Sequence, residues 1–300
     1  MGSVDMDLYI GCRAYDGLHP TSYGYIPDKS AGLAFCIVFG LSMLAHIVQF
    51  CWKRTWWCSV FSVGCLVELI GWAGRTWSAD CPYNSTAFMM QISTLIIAPT
   101  FFTAGIYVLL GRFIQHFGRE CSILSPKLYL WIFCTCDVIS LLVQAAGGGM
   151  ASSESNTIGG DTAPGTNTMV TGIVFQLFSI TVFVLCVVDF LRRVSRLGHF
   201  KAVSRGPLGL LLGAMIFSVV CIYIRSIYRT IELVQGWDGY LITHESYFVW
   251  LDGVMMILAV AVFNIFHPGF LLPSSSASTK IKYAESVDLE QEPGLPREIS

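Results

Sequence analysis

Charged residues lie inside stretches of this chain that are otherwise long and apolar enough to cross a lipid bilayer. Glu68, Gly71, Trp72 and Arg75 recur at i, i+3, i+4 and i+7, and Arg225, Arg229 and Glu232 recur at i, i+4 and i+7. Helical spacing sets each group along one stripe. A charge at the bilayer centre costs about 2.5 to 3.5 kcal/mol on insertion scales, so these residues persist where they face one another or water. Asp137, Glu245 and Asp252 add carboxylates, while Gln91, Gln144 and Gln176 add amides. Opposite charges are expected to pair in a polar interior, whose side chains are the candidate binding groups for a substrate. With polar groups in at least six apolar stretches, one outward-facing cavity is expected. The same ion pairs also serve to hold helices in register, a known use of buried charge.

The elements that position these residues follow from composition. The chain is 54% hydrophobic and 13% charged, with a mean hydropathy of +0.62, too apolar for a soluble protein of 300 residues. Apolar blocks between breakers give seven spans at 31–52, 57–77, 87–110, 128–149, 168–190, 207–230 and 246–267. The fold class is therefore all-α, a polytopic membrane protein with a tail over 1–29, a seven-helix domain over 30–270 and a second tail over 271–300. The first residues lack a basic start followed by an apolar core, so no cleavable signal peptide is expected and span one inserts itself.

Orientation is read from basic residues in the connections. Lys53 and Arg54 follow span one, Arg112, Arg119 and Lys127 follow span three, and Arg192, Arg193, Arg196, Lys201 and Arg205 follow span five. The other three loops carry almost none. The positive-inside rule then puts the amino terminus outside and the carboxyl terminus in the cytoplasm. Asn84-Ser85-Thr86 is a glycosylation sequon on the expected outer face. Cys12 and Cys81 are the two cysteines in expected outer segments, a candidate disulfide. Cys36, Cys51, Cys58, Cys65, Cys134, Cys136, Cys186 and Cys221 read as small hydrophobes of the spans. The loop Ala151 to Thr168 is expected to be long and mobile, and the acidic, serine-rich end from Pro273 onward to be a disordered tail open to phosphorylation.

Pro99 inside span three removes a backbone donor and should kink the helix, and Gly147 to Gly149 loosen the outer end of span four, so both are candidate hinges. Gly209 and Gly213 form a GxxxG that reads as a seat for a neighbouring helix. His46 reads as a hydrogen-bonded packing residue, and Trp56, Trp57, Tyr107 and Tyr129 as interfacial belt aromatics.

Taken in order, these residues resemble the fungal lipid-translocating exporters, seven-span proteins related to those conferring resistance to aminocholesterol and other toxic lipids. The resemblance covers about residues 23 to 270. It rests on Tyr25-Ile-Pro27, Glu68-Leu-Ile-Gly71-Trp-Ala-Gly-Arg75, Ala98-Pro99 with Ala104, Tyr107 and Arg112, and Asp137 with Gln144 and the glycine run. It continues through Arg225-Ser-Ile-Tyr228-Arg229-Thr-Ile-Glu232, Glu245 with Asp252, and His267-Pro268-Gly269. The resemblance implies a plasma-membrane protein giving drug or lipid-stress resistance, whose partners are membrane lipids or amphipathic small molecules, sphingoid long-chain bases foremost. No cofactor, metal or nucleic-acid partner is expected. No G-x-x-x-x-G-K-[ST] motif is present, so direct ATP-driven pumping is not indicated.

The chief alternative is a seven-helix sensor or receptor. Against a G-protein-coupled receptor, Leu110-Gly111-Arg112 lacks an acidic residue before the arginine, and Asn264-Ile-Phe-His-Pro268 lacks an adjoining Asn-Pro pair. An intramembrane zinc hydrolase would need three histidines and an aspartate. Only His46 lies well inside a span, so an enzyme is not expected.

Overall fold

The computed structural model describes residues 11–13, 15, 16, 18, 19, 21, 23–155, 160–197, 206–236 and 239–272. Among them the regular structure is entirely helical, and seven helices are long and apolar enough to cross a membrane. We label these α1 (Lys29–Lys53), α2 (Ser59–Asp80, entered by the 3-10 turn Trp56–Cys58), α3 (Ser85–Phe117), α4 (Pro126–Ser155), α5 (Ala163–Arg196), α6 (Pro207–Val234) and α7 (Glu245–Leu271). The protein is an integral membrane protein. The expected cytoplasmic tail lies outside the described residues from 273 onward, as do Lys201 and Arg205.

Each helix begins and ends for a local reason. Asp28 accepts the Ser30 amide at the start of α1, and Asn84 accepts the Ala87 amide at the start of α3. Gly118, at φ +100°, ends α3 in a conformation open to glycine. The span α7 is interrupted: helical from Glu245–Phe248, it widens into a π-turn over Val249–Val254, resumes over Met255–Ile265 and closes in the short turn Pro268–Leu271. Such a turn inserts an extra residue into the helix and often marks a functional site.

The core is aromatic. Phe61, Trp72, Phe102, Tyr107, Phe113 and Phe183 are sealed at its centre. Many apolar side chains on the outer surface are exposed, Leu41, Leu142, Phe178 and Leu185 among them, as a lipid-facing surface requires.

Four expectations change. The connection between spans four and five is not the long loop from Ala151 to Thr168, because α4 runs on through Ser155 and α5 already starts at Ala163. Gly147 is not a loosened end but a tight crossing. A Cβ there would sit 2.4 Å from the Met169 nitrogen, and one at Gly165 would sit 2.4 Å from the Ala151 nitrogen, so the two backbones touch where only glycine fits. Polar small residues extend these helices beyond their apolar stretches, which hydropathy alone does not register. Tyr107 and Tyr129 are fully buried and belong to the core, not to an interfacial belt. Gly213 would gain a Cβ with nothing within 4 Å, so it seats no neighbouring helix.

Candidate functional site

The amino-terminal tail, the α2–α3 loop and the α6–α7 loop share one end of the bundle, tied by the Cys12–Cys81 disulfide with Cα atoms 4.7 Å apart. Asp16 organises this tail. Its carboxylate receives the Tyr83 hydroxyl and the Leu18 and His19 amides, and these bonds hold it well below the usual carboxylate range, the Tyr83 contact first. Asn84 is 8% exposed; its amide donates to the Gly11 carbonyl at 3.0 Å while its oxygen caps α3. A glycan on that nitrogen requires the Gly11 contact to open.

Beneath the tail lies a narrow cavity of about 30 Å³, room for about two waters. Tyr23 and Tyr25 form its tail side, Arg75 comes from α2, Gln91 from α3, and Arg229 and Glu232 from α6. Tyr23 donates to Gln91 at 2.7 Å and accepts from the Ser78 hydroxyl at 3.0 Å. Burial pushes its hydroxyl up to about 12, which keeps it a donor. Arg75 is 1% exposed and spans the mouth: it donates to Tyr25 and to Glu245, each at 2.8 Å, and its guanidinium lies 4.4 Å over the Phe248 ring. Glu245 also accepts the Asp28 amide, which fastens the tail to α7.

Deeper in the bilayer the remaining charges meet. Arg225 on α6 donates to Asp252 at 2.8 Å, and Asp252 sits in the π-turn of α7. Gly253 beside it lets this turn close on Trp72, since a Cβ would stand 2.5 Å from the indole. Arg229 donates to Glu232 at 2.6 Å within α6, and Tyr228 donates to the other Glu232 oxygen at 2.9 Å. The second donor of Arg225 reaches the Leu95 carbonyl at 2.6 Å. Leu95 stands four residues before Pro99, whose missing amide leaves that carbonyl without its helical partner. Arg225 takes the place of the absent N–H, and α3 stays continuous through the proline.

Glu68 is the exception. It is fully buried, within reach of the charges of Asp252, Arg225 and Arg229, yet neither of its oxygens has a hydrogen-bond partner. The Trp72 indole lies beside it without reaching bonding geometry. Three guanidiniums, Arg75, Arg225 and Arg229, are each paired with a carboxylate, from Glu245, Asp252 and Glu232 respectively. The fourth carboxylate, Glu68, is left over.

The other expected site residues stand apart. Asp137 accepts Thr103 at 3.1 Å and Tyr107 at 3.0 Å between α3 and α4, with no arginine. Gln144 donates to Ser140 at 2.9 Å and to Gln176 at 3.0 Å between α4 and α5. The expected single cavity fed by six spans is therefore three separate polar groups, and α4 contributes nothing to the cavity lining. Among the described residues, no three or more His, Cys, Asp or Glu gather as metal ligands.

This ordered set of intramembrane charges can be compared with known proteins. Residues 61–275 match the family model described as RTA1 like protein. The chain belongs to that family. It is 32% identical over 291 residues to the sphingoid long-chain base transporter RSB1 of Saccharomyces cerevisiae (strain Lalvin EC1118), covering 86% of this chain and 76% of the relative. It is 29% identical over 284 residues to Protein RTM1 of the same species, covering 81% and 90% of the two chains. Protoporphyrin uptake protein 1 of Saccharomyces cerevisiae is 31% identical over 207 residues, covering 68% and 66%. No solved structure matches.

Several family-stretch residues at the site escaped the sequence reading. Tyr25 stood in the Tyr-Ile-Pro segment without a role, and it is the hydroxyl that Arg75 holds. The Leu95 carbonyl was legible in principle, four residues before a helical proline. Tyr23 and Phe248 carried no signal, because their roles depend on how the tail folds over the mouth.

Proposed function

We propose that this protein moves amphipathic lipid bases, sphingoid long-chain bases or molecules like them, across the plasma membrane, and that Glu68 receives the cationic head. The observation that carries this reading is the charge count. Three arginines neutralise three of the four carboxylates of the α2–α6–α7 cluster, whereas Asp137, buried apart from it, is held by two hydroxyls; an uncompensated carboxylate in hydrocarbon costs several kcal/mol. An ammonium, with three donors and one positive charge, suits the two free oxygens of Glu68. An anionic head does not. The relatives whose names specify sphingoid bases and protoporphyrin handle amphiphiles, which agrees with a membrane-facing route.

In this reading the disulfide end faces outside, supported by the basic residues after α1, α3 and α5 at the other end. The cavity under Tyr23, Tyr25 and Arg75 is the outer vestibule. Its present width admits no lipid head, so passage requires Arg75 to release Glu245 or Tyr25. Moving the head past a ring of fixed dipoles and charges avoids transferring a bare ammonium into hydrocarbon, and the tail stays in lipid.

Purified protein in liposomes, with leaflet asymmetry of labelled long-chain bases followed over time, tests this. Accelerated movement is expected, lost in Glu68→Gln while the variant stays folded and monodisperse. Movement no faster than in empty liposomes overturns transport and leaves lipid sensing as the reading.

A further inference from the structure

Below Glu68, toward the end opposite the disulfide, three helices each contribute a polar stripe. On α1, Ser42, His46 and Gln49 recur at i, i+4 and i+7; on α2, Ser62, Cys65 and Glu68 recur at i, i+3 and i+6; on α7, Asn264 and His267 are three apart. They are linked. Cys65 approaches the Ser42 hydroxyl at 3.7 Å, Asn264 donates to that hydroxyl at 2.6 Å, and Gln49 donates to the Asn264 carbonyl at 2.7 Å. The rings of His46 and His267 lie 6.1 Å apart.

This column holds a concentration of unmet hydrogen-bonding capacity. His46 is fully buried with neither ring nitrogen partnered; His267 Nε2, Ser62 Oγ, Asn264 Oδ1, Gln49 Oε1 and Thr55 Oγ1 are likewise without partners. Buried polar atoms are nearly always satisfied, and a run of them along one line points to a mobile hydrogen-bonded occupant. His46 packs as expected, stacked 5.5 Å from the Phe61 ring, but the Val260 backbone beside it does not reach bonding geometry. Neutral imidazoles, hydroxyls and amides both donate and accept, which suits passing a proton along.

We propose that Glu68 exchanges its cationic lipid head for a proton, and that this polar column is the route by which the proton reaches it from the end opposite the disulfide. The inference rests on the reading of Glu68 as the cargo carboxylate. The groups facing Glu68 fix the stoichiometry. Asp252 comes from α7, Arg225 and Arg229 from α6, and Cys65 and Trp72 from its own helix, while α1 and α3 carry no acidic or basic residue but His46 within their membrane-spanning middles. His46 in turn has His267 of α7 as its titratable neighbour.

With an ammonium or a proton on Glu68 the four carboxylates are balanced against three guanidiniums and one added positive charge. With neither, an uncompensated carboxylate is left in the bilayer interior. The head therefore leaves as a proton arrives. One proton binds a Glu68 oxygen, one ammonium is released intact, no covalent bond to carbon changes, and the exchange moves no net charge. Opposed movement of a lipid base and a proton follows.

The test uses the full chain in phosphatidylcholine liposomes with a labelled N,N,N-trimethyl sphingoid base. That probe keeps its charge at every pH, cannot cross as a neutral amine, and, lacking N–H donors, engages Glu68 through its charge alone. An imposed pH difference is expected to drive leaflet asymmetry of the probe toward about tenfold per pH unit, the limit of one-for-one exchange. Glu68→Gln abolishes the drive. His46→Gln and, independently, Ser42→Ala reach the same final asymmetry at least about fivefold more slowly, with unchanged probe binding. Two variants guard against one that fails to fold. Accelerated movement indifferent to the pH difference overturns the exchange and leaves the transport reading standing; no accelerated movement of any long-chain base overturns both.

Discussion

The α4–α5 pair and the α2–α6–α7 cluster both bury polar groups at membrane depth, and they do so by opposite means. Between α4 and α5 glycines bring the backbones into contact, and neutral groups complete the seam: Ser140 donates to the Gly172 carbonyl at 2.9 Å and Gln144 reaches Gln176. Between α2, α6 and α7 the polar contacts run instead through long side chains, guanidiniums against carboxylates. A backbone seam has one geometry, whereas ion pairs between long side chains can re-form with different partners. On the proposed transport reading, the neutral pair is the scaffold and the charged cluster the part that rearranges.

The sharpest way to break that comparison is Arg225→Met. It leaves Asp252 buried with only the longer 3.8 Å contact to Arg229 and strips the Leu95 carbonyl of its donor, so a loss of about 3 to 5 kcal/mol is expected, read as detergent thermal stability. Arg225→Met with Asp252→Leu should recover most of it, as replacing a buried pair by apolar residues often does. A single variant as stable as the parent would mean the ion pairs do not constrain the cluster at all.

Gly147→Val probes the other seam. Its Cβ meets the Met169 and Gly165 backbones, which cannot rotate away, so about 1 to 3 kcal/mol is lost as α4 and α5 separate. Gly213→Val, open to lipid on α6, should cost about 1 kcal/mol or less. Equal effects at the two positions would dissolve the claim that α4 and α5 form a rigid scaffold.

These contrasts were unevenly legible in the sequence. The stripes Glu68 to Arg75 and Arg225 to Glu232 follow from helical periodicity, and membrane depth makes charges conspicuous, so the cluster's membership was readable. Its pairing was not. Which carboxylate remains unmatched depends on the π-turn that rotates Asp252 toward Arg225 and on the tail that brings Tyr25 and Asp28 to the mouth. Asp137 and Gln144 share the same residue chemistry and the same depth, yet helix packing assigns them to other seams. The ends of α4 and α5 were missed because serine, threonine and glycine dilute hydropathy without breaking a helix that is supported by its neighbour.

The smallest effect sharpens the comparison from the aqueous side, where the tail links the charged cluster to solvent. Asp16 and Asp28 both titrate below the ordinary carboxylate value in the folded chain, the first through Tyr83 and then His19, the second through Ser30. A lowered value means that the folded tail favours the ionised form, so this contribution is complete above about pH 4, the unfolded value. It fades as pH falls through the lowered values, not between pH 7 and 5. Hydrogen exchange of the Leu18, His19 and Ser30 amides, which donate to these two carboxylates, reports it directly. Protection corrected for intrinsic rate should hold from pH 7 to 5 and weaken modestly below pH 4, while amides of the α4–α5 seam stay unchanged across the range. Loss of tail protection already by pH 5 would show that something other than these carboxylates fastens it, and would detach the vestibule's cover from the charged half of the molecule.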